Sequence, residues 1–336
     1  MNLLVTGGAG FIGSHLLRRL LGRPGISKVV NLDCLTYAGH LQNLAGMAQH
    51  PNYVFEKVDL RDKPAVLGVV ASHRVTHVVH LAAESHVDRS ISGPGDFIHT
   101  NVVGTFHLLD ACRAVWGGDM GGKRFLHVST DEVYGSIGPV GSYSEAAACA
   151  PNSPYSASKA ASDMLVRSYH QTYGLPVVIT RSSNNYGSGQ NAEKLIPTII
   201  ARLLRRAPVP IYGDGLNVRD WLHVEDHCDA LWLALTAGAD GEIYNIGGRA
   251  ERTNLQIASL ICEIFDDLAP RSGGGSSKLI TFVQDRPGHD RRYAMNGAKF
   301  EKATGWIPSL NFEPGLRETV KWYLDNVSWF GAAGRG

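Results

Sequence analysis

The segment VTGGAGFIGSH, residues 5–15, constrains the fold more than any other part of the chain. It places Gly7, Gly10 and Gly13 three residues apart, directly after the apolar run NLLVT and at the start of a helix-like stretch. Glycines at this spacing let the backbone come close to a pyrophosphate, and the amide groups of the helix N-terminus face its charge. The segment therefore predicts the strand, turn and helix of a dinucleotide-binding unit.

The alternation of strand and helix continues through the first half of the chain. Strand-like runs such as KVVNLD, THVVHLAA, RFLHVST and PVVITRS are separated by helix-like segments, among them residues 101–116 and 156–173. Apolar strands that alternate with helices are typical of a parallel sheet covered on both faces. We therefore predict an α/β fold with a Rossmann-type, doubly wound parallel sheet.

After residue 182 the pattern becomes irregular and rich in Gly, Pro and Asn, and it returns to order at EIYNIGG. This change predicts a second, smaller domain of mixed α/β structure. We expect residues 1–182 and about 219–246 to form the dinucleotide-binding domain. Residues 183–218 and 247–336 are expected to form the second domain.

Composition excludes several classes of function. The 32 Lys and Arg residues nearly balance 31 Asp and Glu residues, so a net charge of +1 gives no general field to attract nucleic acid or an anionic membrane. The five cysteines are scattered without a C-x-x-C pair, which predicts free thiols, no metal site and a cytoplasmic location. No apolar stretch has the length of a signal peptide or a membrane span, so we expect neither.

Acidic residues follow two of the predicted strands. Asp33 ends the run KVVNLD, where a carboxylate accepts hydrogen bonds from the adenosine ribose hydroxyls and repels a 2′-phosphate. This position favours NAD over NADP as the cofactor. Asp59, in VDLRD, follows another strand and is placed to reach the adenine. The alternative is that Asp59 is a strand-end carboxylate with no ligand.

The segment SPYSASKAASD places Tyr155 and Lys159 four residues apart at the start of a helix, and therefore on one helix face. An ammonium beside a phenol favours the phenolate, and an oxidised nicotinamide acts in the same direction. Such a phenolate can remove the proton of a sugar hydroxyl while a hydride leaves the carbon. This spacing also occurs on ordinary surface helices, but after a dinucleotide-binding segment it resembles the short-chain dehydrogenase/reductase family, in which Thr130 fits as the accessory hydroxyl.

Over nearly its whole length the chain resembles the dTDP-glucose 4,6-dehydratases, an extended branch of that family. The blocks that carry the resemblance are TGGAGFIGSH, HLAAESHVDRSI, NVVGT, STDEVYG, PYSASKAASD, RSSNNYG, EKLIP, YGDGLNVRDWLHVEDH and DRPGHD. The triplet Thr130-Asp131-Glu132 is the most discriminating of them. Related epimerases keep the Thr and Tyr without paired acids, and decarboxylases and GDP-mannose dehydratases usually have Ser-Glu at this place.

The resemblance implies an NAD-dependent reaction on dTDP-glucose in three stages. Oxidation at C4 makes the C5 proton acidic; a base then removes it while an acid protonates the C6 hydroxyl, and after water leaves, a hydride returns to C6. Glu132 is implied as the base and Asp131 as the acid, with Thr130, Tyr155 and Lys159 serving the oxidation. Repulsion between adjacent carboxyl groups in a partly dry cleft pushes their pKa values apart, as two opposite roles require.

The resemblance also implies that the second domain binds the nucleotide sugar, and which residues hold each ligand. The expected cofactor-binding residues are Gly7, Gly10, Phe11, Ile12, Gly13, Asp33, Asp59, Leu60, Leu81, Ala82, Ala83, Thr100, Tyr155, Lys159 and Asn185. The expected substrate-binding residues are Ser85, Thr130, Asn184, Lys194, Leu195, Pro210, Ile211, Tyr212, Arg219, Asn254, Arg286 and His289. The chain departs from the family at Asn191-Ala192, where an aromatic residue or His followed by Pro is usual, so the loop before Lys194 is an open point.

Two other interpretations stay open at this level. A 4-epimerase or decarboxylase of another nucleotide sugar shares every feature except the acid pair. An NAD-binding protein without catalysis keeps the fold but has no need of all five catalytic side chains. Residues 101–116 and 156–173 resemble helices that form a four-helix interface in the family, so we expect a homodimer and no nucleic-acid or membrane partner.

Overall fold

Seven parallel strands form the central sheet of the computed structural model, which describes residues 1–270 and 275–332. Across the sheet the order is β3 (Tyr53–Glu56), β2 (Lys28–Leu32), β1 (Asn2–Thr6), β4 (His77–His80), β5 (Arg124–Thr130), β6 (Val177–Ser182) and β10 (Ile243–Ile246). In register, Thr6 lies opposite Leu32 on one side of β1 and opposite His80 on the other. The winding reverses at β1, and ligands of such sheets bind beyond the carboxyl ends of the strands at this reversal.

Helices cover both faces of the sheet, as the strand–helix alternation predicts. One face carries α1 (Phe11–Leu20), α8 (Val224–Ala237) and α10 (Ala298–Thr304); the other carries α2 (Lys63–Ser72), α5 (Thr105–Trp116) and α6 (Pro154–Tyr173). Side chains of β1 alternate between two cores, with Leu3 and Val5 in the first and Leu4 in the second. The strands are nearly continuous apolar runs in the sequence because both of their faces are buried.

Helix boundaries follow local sequence signals. In α6 the Ser153 side chain caps the N-terminus, Pro154 occupies the first turn, and Gly174 adopts a left-handed conformation at the C-terminus. The helix predicted over residues 101–116 begins earlier than expected. Two short helices, α3 (Val87–Ser92) and α4 (Pro94–Phe97), are followed by a π-helical segment, Ile98–Gly104, that runs into α5.

A second region is built from shorter elements. Its strands are β7 (Asn184–Tyr186), β9 (Val218–His223) and β11 (Glu251–Thr253) in one sheet, and β8 (Val209–Tyr212) and β12 (Ile280–Val283) in another. Its helices are α7 (Leu195–Leu204), α9 (Asn254–Leu268), α11 (Phe312–Asp325) and α12 (Trp329–Ala332). Ile199, Ile261 and Leu316, from three of these helices, meet in a separate apolar core.

The structure places two segments differently from the predicted division of the chain. Helix α10 lies within residues 247–336, yet the Phe300 ring packs 5.5 Å from the Tyr244 ring and 5.6 Å from Trp306 in the first core. Strand β9, which opens the 219–246 segment assigned to the dinucleotide-binding domain, pairs with β7 and β11 of the second region. Amphipathic patterns show that a segment packs, but not against which surface. Within the described residues, no helix combines the length and apolarity needed to cross a membrane.

Candidate active site

A cleft of about 490 Å³ opens where β1, β2, β4, β5 and β6 end. It brings together most of the predicted site residues, although they are spread over nearly 190 positions of sequence. Those that line it are Gly7, Gly10, Phe11, Ile12, Gly13, Asp33, Asp59, Leu60, Leu81, Ala82, Ala83, Ser85, Thr100, Thr130, Asp131, Glu132, Tyr155, Lys159, Asn184, Asn185 and Lys194.

The glycine-rich turn has the close packing that its spacing predicts. Gly7 has a φ of +73°, and a Cβ there would lie 2.8 Å from the Ala82 backbone. At Gly13 a Cβ would lie 2.2 Å from the Gly7 carbonyl oxygen. Helix α1 begins directly after Gly10 without a side-chain cap, so its first amide groups face the cleft as donors for an anion.

Asp33 fixes the loops around this turn as well as lining the cleft. Its Oδ2 accepts a hydrogen bond from the Ala9 amide at 2.9 Å, and its Oδ1 accepts one from the Leu35 amide at 2.8 Å. Burial raises the pKa of Asp33, and the two backbone hydrogen bonds oppose that rise. A carboxylate has further lone pairs, so Asp33 can still accept a ligand hydroxyl. Asp59 is bound by Arg61, which lowers its pKa.

The paired acids stand at the end of β5 because a capped turn holds them there. Strand β5 ends at Thr130 and is followed by a 3₁₀ turn, Asp131–Tyr134. The Thr130 hydroxyl accepts a hydrogen bond from the Glu132 amide at 3.3 Å and donates one to Asp131 Oδ1 at 3.2 Å. One hydroxyl therefore orders both acidic residues at the carboxyl end of the strand.

Asp131 is held in conditions that favour its protonated form. Its side chain is buried, and burial followed by the charge of Glu132 raises its pKa well above the usual range. Arg219 opposes this rise, while Asp220 adds to it. Among the described residues Oδ2 of Asp131 has no hydrogen-bond partner, so this oxygen is available to carry a proton into the cleft.

Glu132 has a more cationic environment. Burial raises its pKa, but Arg286, then Arg219 and Lys194, and a hydrogen bond from the Ser156 hydroxyl at 3.2 Å all act to lower it. The pKa of Glu132 is raised overall because burial has the largest effect, but these groups oppose the rise, whereas the pKa of Asp131 is raised well above its usual range. The environments of the two acids therefore differ in the direction that an acid and a base require.

Tyr155 behaves differently from the expectation based on its spacing to Lys159. Burial raises the pKa of the Tyr155 phenol, and the charges of Glu132 and then Asp131 raise it further. A hydrogen bond with Thr130 acts in the opposite direction. The protein's own groups therefore hold the phenol neutral, because burial and the nearby carboxyl groups act against its ionisation.

Lys159 is buried beneath the cleft and held by the strand next to it. Its Nζ donates a hydrogen bond to the Val128 carbonyl oxygen at 2.9 Å. Burial lowers the pKa of Lys159 to about 8, against the charge of Asp163. Asp163 in turn accepts a hydrogen bond from Arg181 Nε at 2.9 Å, and His127 lies 3.4 Å from its other oxygen. Lys159 therefore stays mainly charged at neutral pH above a buried ionic cluster.

The remaining predicted substrate residues are not among those that line the main cleft. They are Leu195, Pro210, Ile211, Tyr212, Arg219, Asn254, Arg286 and His289. The Tyr212 hydroxyl donates to Asp88 Oδ2 at 3.1 Å, and Arg286 lies 3.7 Å from Asp88 Oδ1. The Tyr212 ring meets the His289 ring edge to face at 6.2 Å. Asp88 thus joins the sheet region to the second region at the rim of the site.

The Ile211 side chain is placed differently from the prediction. It is 1% exposed in the core of the second region, whereas Pro210 and Tyr212 point to the other face of β8. Side chains alternate along a strand, so three consecutive residues cannot all face one ligand. Leu195 packs partly against the same core, and the Asn254 amide donates to the Asn217 carbonyl.

Arg219 is held behind Glu132 by the chain around Asp290. Its Nη2 donates to the Asp290 carbonyl oxygen at 2.9 Å, and its guanidinium lies 4.2 Å from the centre of the Tyr293 ring. Both contacts leave the guanidinium charge uncompensated by a carboxylate. It is therefore free to act on Glu132 and on an anionic ligand.

The Asn191-Ala192 departure forms a well-defined turn. Asn191 Oδ1 accepts the Glu193 amide at 3.2 Å, and the Asn191 carbonyl accepts the Lys194 amide at 3.1 Å. The Thr198 hydroxyl donates to the Ala192 carbonyl at 2.8 Å. Lys194 still enters the cleft, where its Nζ donates to the Ser85 carbonyl at 2.9 Å.

Two residues without a predicted role, Glu193 and Ser156, also lie beside the predicted ones. Glu193 lines the cleft, and its carboxylate lies 3.4 Å from His86 and 3.8 Å from Arg89 across the two regions. Ser156 contacts Glu132 directly, although it was not singled out. Ser156 follows Tyr155 in the quoted SPYSASKAASD, and this adjacency is the one sequence signal that could have indicated it.

The fold and the cleft define the class of the protein. A parallel sheet with a glycine-rich turn, and a Tyr–Lys pair in the same cleft, is the arrangement of short-chain dehydrogenase/reductase enzymes. Within the described residues no group of three or more His, Cys, Asp or Glu side chains is arranged to hold a metal ion.

Comparisons with known proteins give the family. The family model for GDP-mannose 4,6 dehydratase matches residues 4–319. A dTDP-glucose 4,6-dehydratase of Neisseria meningitidis is 52% identical over 98% of this chain and 94% of that protein. The crystal structure of a double mutant of DesIV, a dTDP-glucose 4,6-dehydratase from Streptomyces venezuelae solved with NAD bound, has a TM-score of 0.91 and 46% identity, covering 99% of this chain and 100% of that one. The chain therefore belongs to the dTDP-glucose 4,6-dehydratase family.

The same fold also occurs among epimerases. A UDP-glucose 4-epimerase from Thermus thermophilus, solved with NAD, has a TM-score of 0.85 and 33% identity over 97% of this chain and 100% of that one. Fold similarity alone therefore does not separate elimination from epimerisation. The separation depends on the acids at the end of β5.

Proposed function

We propose that the protein is an NAD-dependent dTDP-glucose 4,6-dehydratase that converts its substrate to dTDP-4-keto-6-deoxy-glucose. The observation that carries the proposal is the pair Asp131 and Glu132, which lines the same cleft as Tyr155 and Lys159 and has unequal electrostatic surroundings. Family membership supports the substrate and the cofactor. An epimerase needs no such pair.

The cofactor end of the cleft fits NAD. The turn from Gly7 to Gly13 and the start of α1 would hold the pyrophosphate, and Asp33 would accept the ribose hydroxyls. Gly10 lines the cleft, and a Cβ there would lie 3.2 Å from the Gly7 carbonyl oxygen and 4.0 Å from the Ala38 carbonyl oxygen. The chemistry that bound NAD supplies is hydride acceptance from the sugar C4 and hydride return at C6.

Tyr155 removes the proton from the C4 hydroxyl during the oxidation. Its phenol must ionise to do so, and Lys159, with a pKa of about 8, supplies a buried positive charge that favours the phenolate. Thr130 lines the same cleft, and its interaction with Tyr155 acts to lower the pKa of that phenol. The resulting ketone at C4 makes the proton on C5 acidic.

The acid pair then removes water across C5 and C6. Glu132 takes the C5 proton, and the electron pair of that C–H bond forms the C5–C6 double bond. Asp131, whose pKa is raised well above its usual range, gives its proton to the departing C6 hydroxyl. General acid and base groups of this kind each contribute about 10²–10⁴ in rate.

The nucleotide end requires cations for the diphosphate and a surface for the base. Arg219, Arg286 and Lys194 are the cations whose charges reach Glu132, so they lie beside the proposed sugar position. Tyr212 and His289 form an aromatic pair at the rim of the second region, where a base can stack. This placement supports our proposal that the sheet region binds NAD and the second region binds the nucleotide sugar.

The experiment that tests the function compares dTDP-glucose with UDP-glucose as substrates of the purified protein. We expect a 4-keto-6-deoxy sugar from dTDP-glucose, identified by NMR, and much slower conversion of UDP-glucose. Formation of the C4 epimer would instead assign an epimerase. UDP-glucuronic acid is tested as a third substrate, and its loss of carbon dioxide, with no conversion of dTDP-glucose, would assign a decarboxylase.

We propose further that the protein forms a homodimer through α5 and α6 of each protomer, giving a four-helix bundle. These helices expose large apolar side chains, with Phe106 36%, Met164 50% and Tyr173 46% exposed in the single chain. Light scattering should give twice the mass of one chain, and Met164→Glu should reduce it to the mass of one. Val140→Glu, on a loop where Val140 is 81% exposed, is the matched control.

The protein is proposed to work in the cytoplasm. Five free cysteines, three of them buried, suit a reducing compartment. Labelling of all five thiols in the unfolded protein without prior reduction would agree with this location.

A further inference from the structure

Behind Glu132 lies a pair of buried serines, Ser153 and Ser156, at the first turn of α6. The Ser156 hydroxyl is 3.2 Å from Glu132 Oε2, and the Ser153 hydroxyl is 2.7 Å from the Ser156 hydroxyl. The Ser156 amide donates to Ser153 Oγ at 3.1 Å, which fixes both side chains to the helix N-terminus. Ser156 is 0% exposed and Ser153 is 7% exposed.

The count of protons decides the direction of these hydrogen bonds. Each hydroxyl has one proton, and an ionised carboxylate has none. When Glu132 is ionised, Ser156 donates to Glu132 and Ser153 donates to Ser156. When Glu132 carries a proton, it can donate to Ser156, and Ser156 can then donate to Ser153. Both directions fit the same positions of the oxygen atoms.

We propose that the Ser153–Ser156 pair is a reversible hydrogen-bond switch that keeps Glu132 satisfied and in position in both of its protonation states. The proposal rests on the proposed function, in which Glu132 takes a proton from C5 and later releases one. Rotation of the two serine hydroxyl groups reverses the direction of the hydrogen bonds, so the carboxyl group of Glu132 does not have to move. Ser156 and Ser153 act through Glu132 and are therefore positioning residues, not catalytic ones.

Within the described residues, no other side chain that faces Glu132 is hydrogen-bonded to its carboxylate, and the Tyr293 hydroxyl donates to Asp290 instead. The charged and titratable groups that face Glu132 are Asp131, Arg219, Arg286, Lys194, Tyr155 and Tyr293. The two arginines have no accepting atom, so they bind the ionised form alone. A serine hydroxyl both donates and accepts, and this property is what a proton-cycling base requires of a buried neighbour.

The test compares Ser156→Ala, Ser156→Thr and Ser162→Ala with the wild-type protein. Ser162→Ala is the matched control, because Ser162 is buried on the same helix and its hydroxyl donates to the Asn101 and Ser158 carbonyls. We expect Ser156→Ala to lower kcat for 4-keto-6-deoxy product roughly tenfold to a hundredfold with little change in KM, since a hydrogen bond to a charged group is lost. Threonine should restore most of the rate.

Two readouts separate this role from a structural one. Loss of a donor to the ionised form raises the pKa of Glu132, so the acid side of the pH–kcat profile should move to higher pH. Oxidation at C4 does not use Glu132, so reduced cofactor should accumulate in Ser156→Ala during turnover. Ser153→Gly keeps a good helix N-terminus but removes the hydroxyl that accepts from Ser156 when Glu132 is protonated. Ser156 can still donate to ionised Glu132, so we expect a smaller loss of kcat and a shift of the acid side of the profile to lower pH.

The outcomes are distinct. If wild-type protein yields no 4-keto-6-deoxy sugar from dTDP-glucose, the proposed function fails. If wild-type protein is active and Ser156→Ala keeps its kcat and pH profile, the proposed switch fails alone. If Ser156→Ala does not fold, Ser153→Gly decides: unchanged kcat and pH profile in that variant overturn the proposal, and a profile shifted to lower pH supports it.

Discussion

Replacement of Glu132 by Gln should separate the oxidation from the elimination. Gln has the same size and can still accept a hydrogen bond from the Ser156 hydroxyl, which lies 3.2 Å from the Glu132 carboxylate. It cannot take the C5 proton. Loss of a general base costs about 10²–10⁴ in rate, equivalent to roughly 3–5 kcal/mol of transition-state stabilisation. Product formation should fall by that factor.

The cofactor reports which step has stopped. Tyr155 and Lys159 are unchanged in Glu132→Gln, so C4 oxidation should proceed on addition of dTDP-glucose. Absorbance of reduced nicotinamide in the near ultraviolet should rise to about one equivalent per active site and persist. The control is Glu263→Gln, an exposed residue of α9, which should show normal turnover without accumulation.

Two results would refute the reasoning. Turnover of Glu132→Gln at the wild-type rate would mean that another group removes the C5 proton. Absence of both product and reduced cofactor, with normal folding and NAD content, would mean that Glu132 is needed for the oxidation.

Three further predictions concern the neighbouring groups. In Tyr155→Phe neither reduced cofactor nor product should form in the same absorbance assay, and normal cofactor reduction would disprove its role as base. In Asp131→Asn elimination should slow at least a hundredfold, while thermal unfolding near neutral pH should show a higher Tm. The folded-state pKa of Asp131 lies above its unfolded value of 3.8, so the native state loses stability as the pH rises from the unfolded to the folded pKa. Asn does not ionise, so the variant avoids this loss. An unchanged Tm would contradict the raised pKa of Asp131. In heavy water the product should carry solvent deuterium at C5 and none at C6 by NMR, whereas label at C6 would exclude internal hydride return.

The paired acids show which properties of a site a local motif predicts and which depend on the rest of the fold. Asp131 and Glu132 are adjacent in sequence, and a strand end is the predicted place for them. Their different roles depend on distant residues, since Arg286, Arg219 and Lys194 reach Glu132 from the second region. The adjacency of Asp131 and Glu132 in the sequence does not predict which cations of the second region lie near each carboxyl group.

The sequence by itself determined the features that arise within one strand–turn–helix unit. The close packing of Gly7 and Gly13 and the shared helix of Tyr155 and Lys159 follow from local spacing and backbone geometry. Apolar runs of strand length that alternate with helices determined a parallel sheet, because such strands must bury both faces.

Only the tertiary structure decided the features that depend on contacts between separate segments. It buried Tyr155 beside two carboxyl groups, which reverses the expected direction of its pKa, and it placed the Ile211 side chain in the core of the second region. It also packed α10 against the sheet region and set Ser156 against Glu132. Burial and electrostatic fields are sums over neighbours from the whole chain, and a linear pattern specifies only the neighbours that lie within one or two turns.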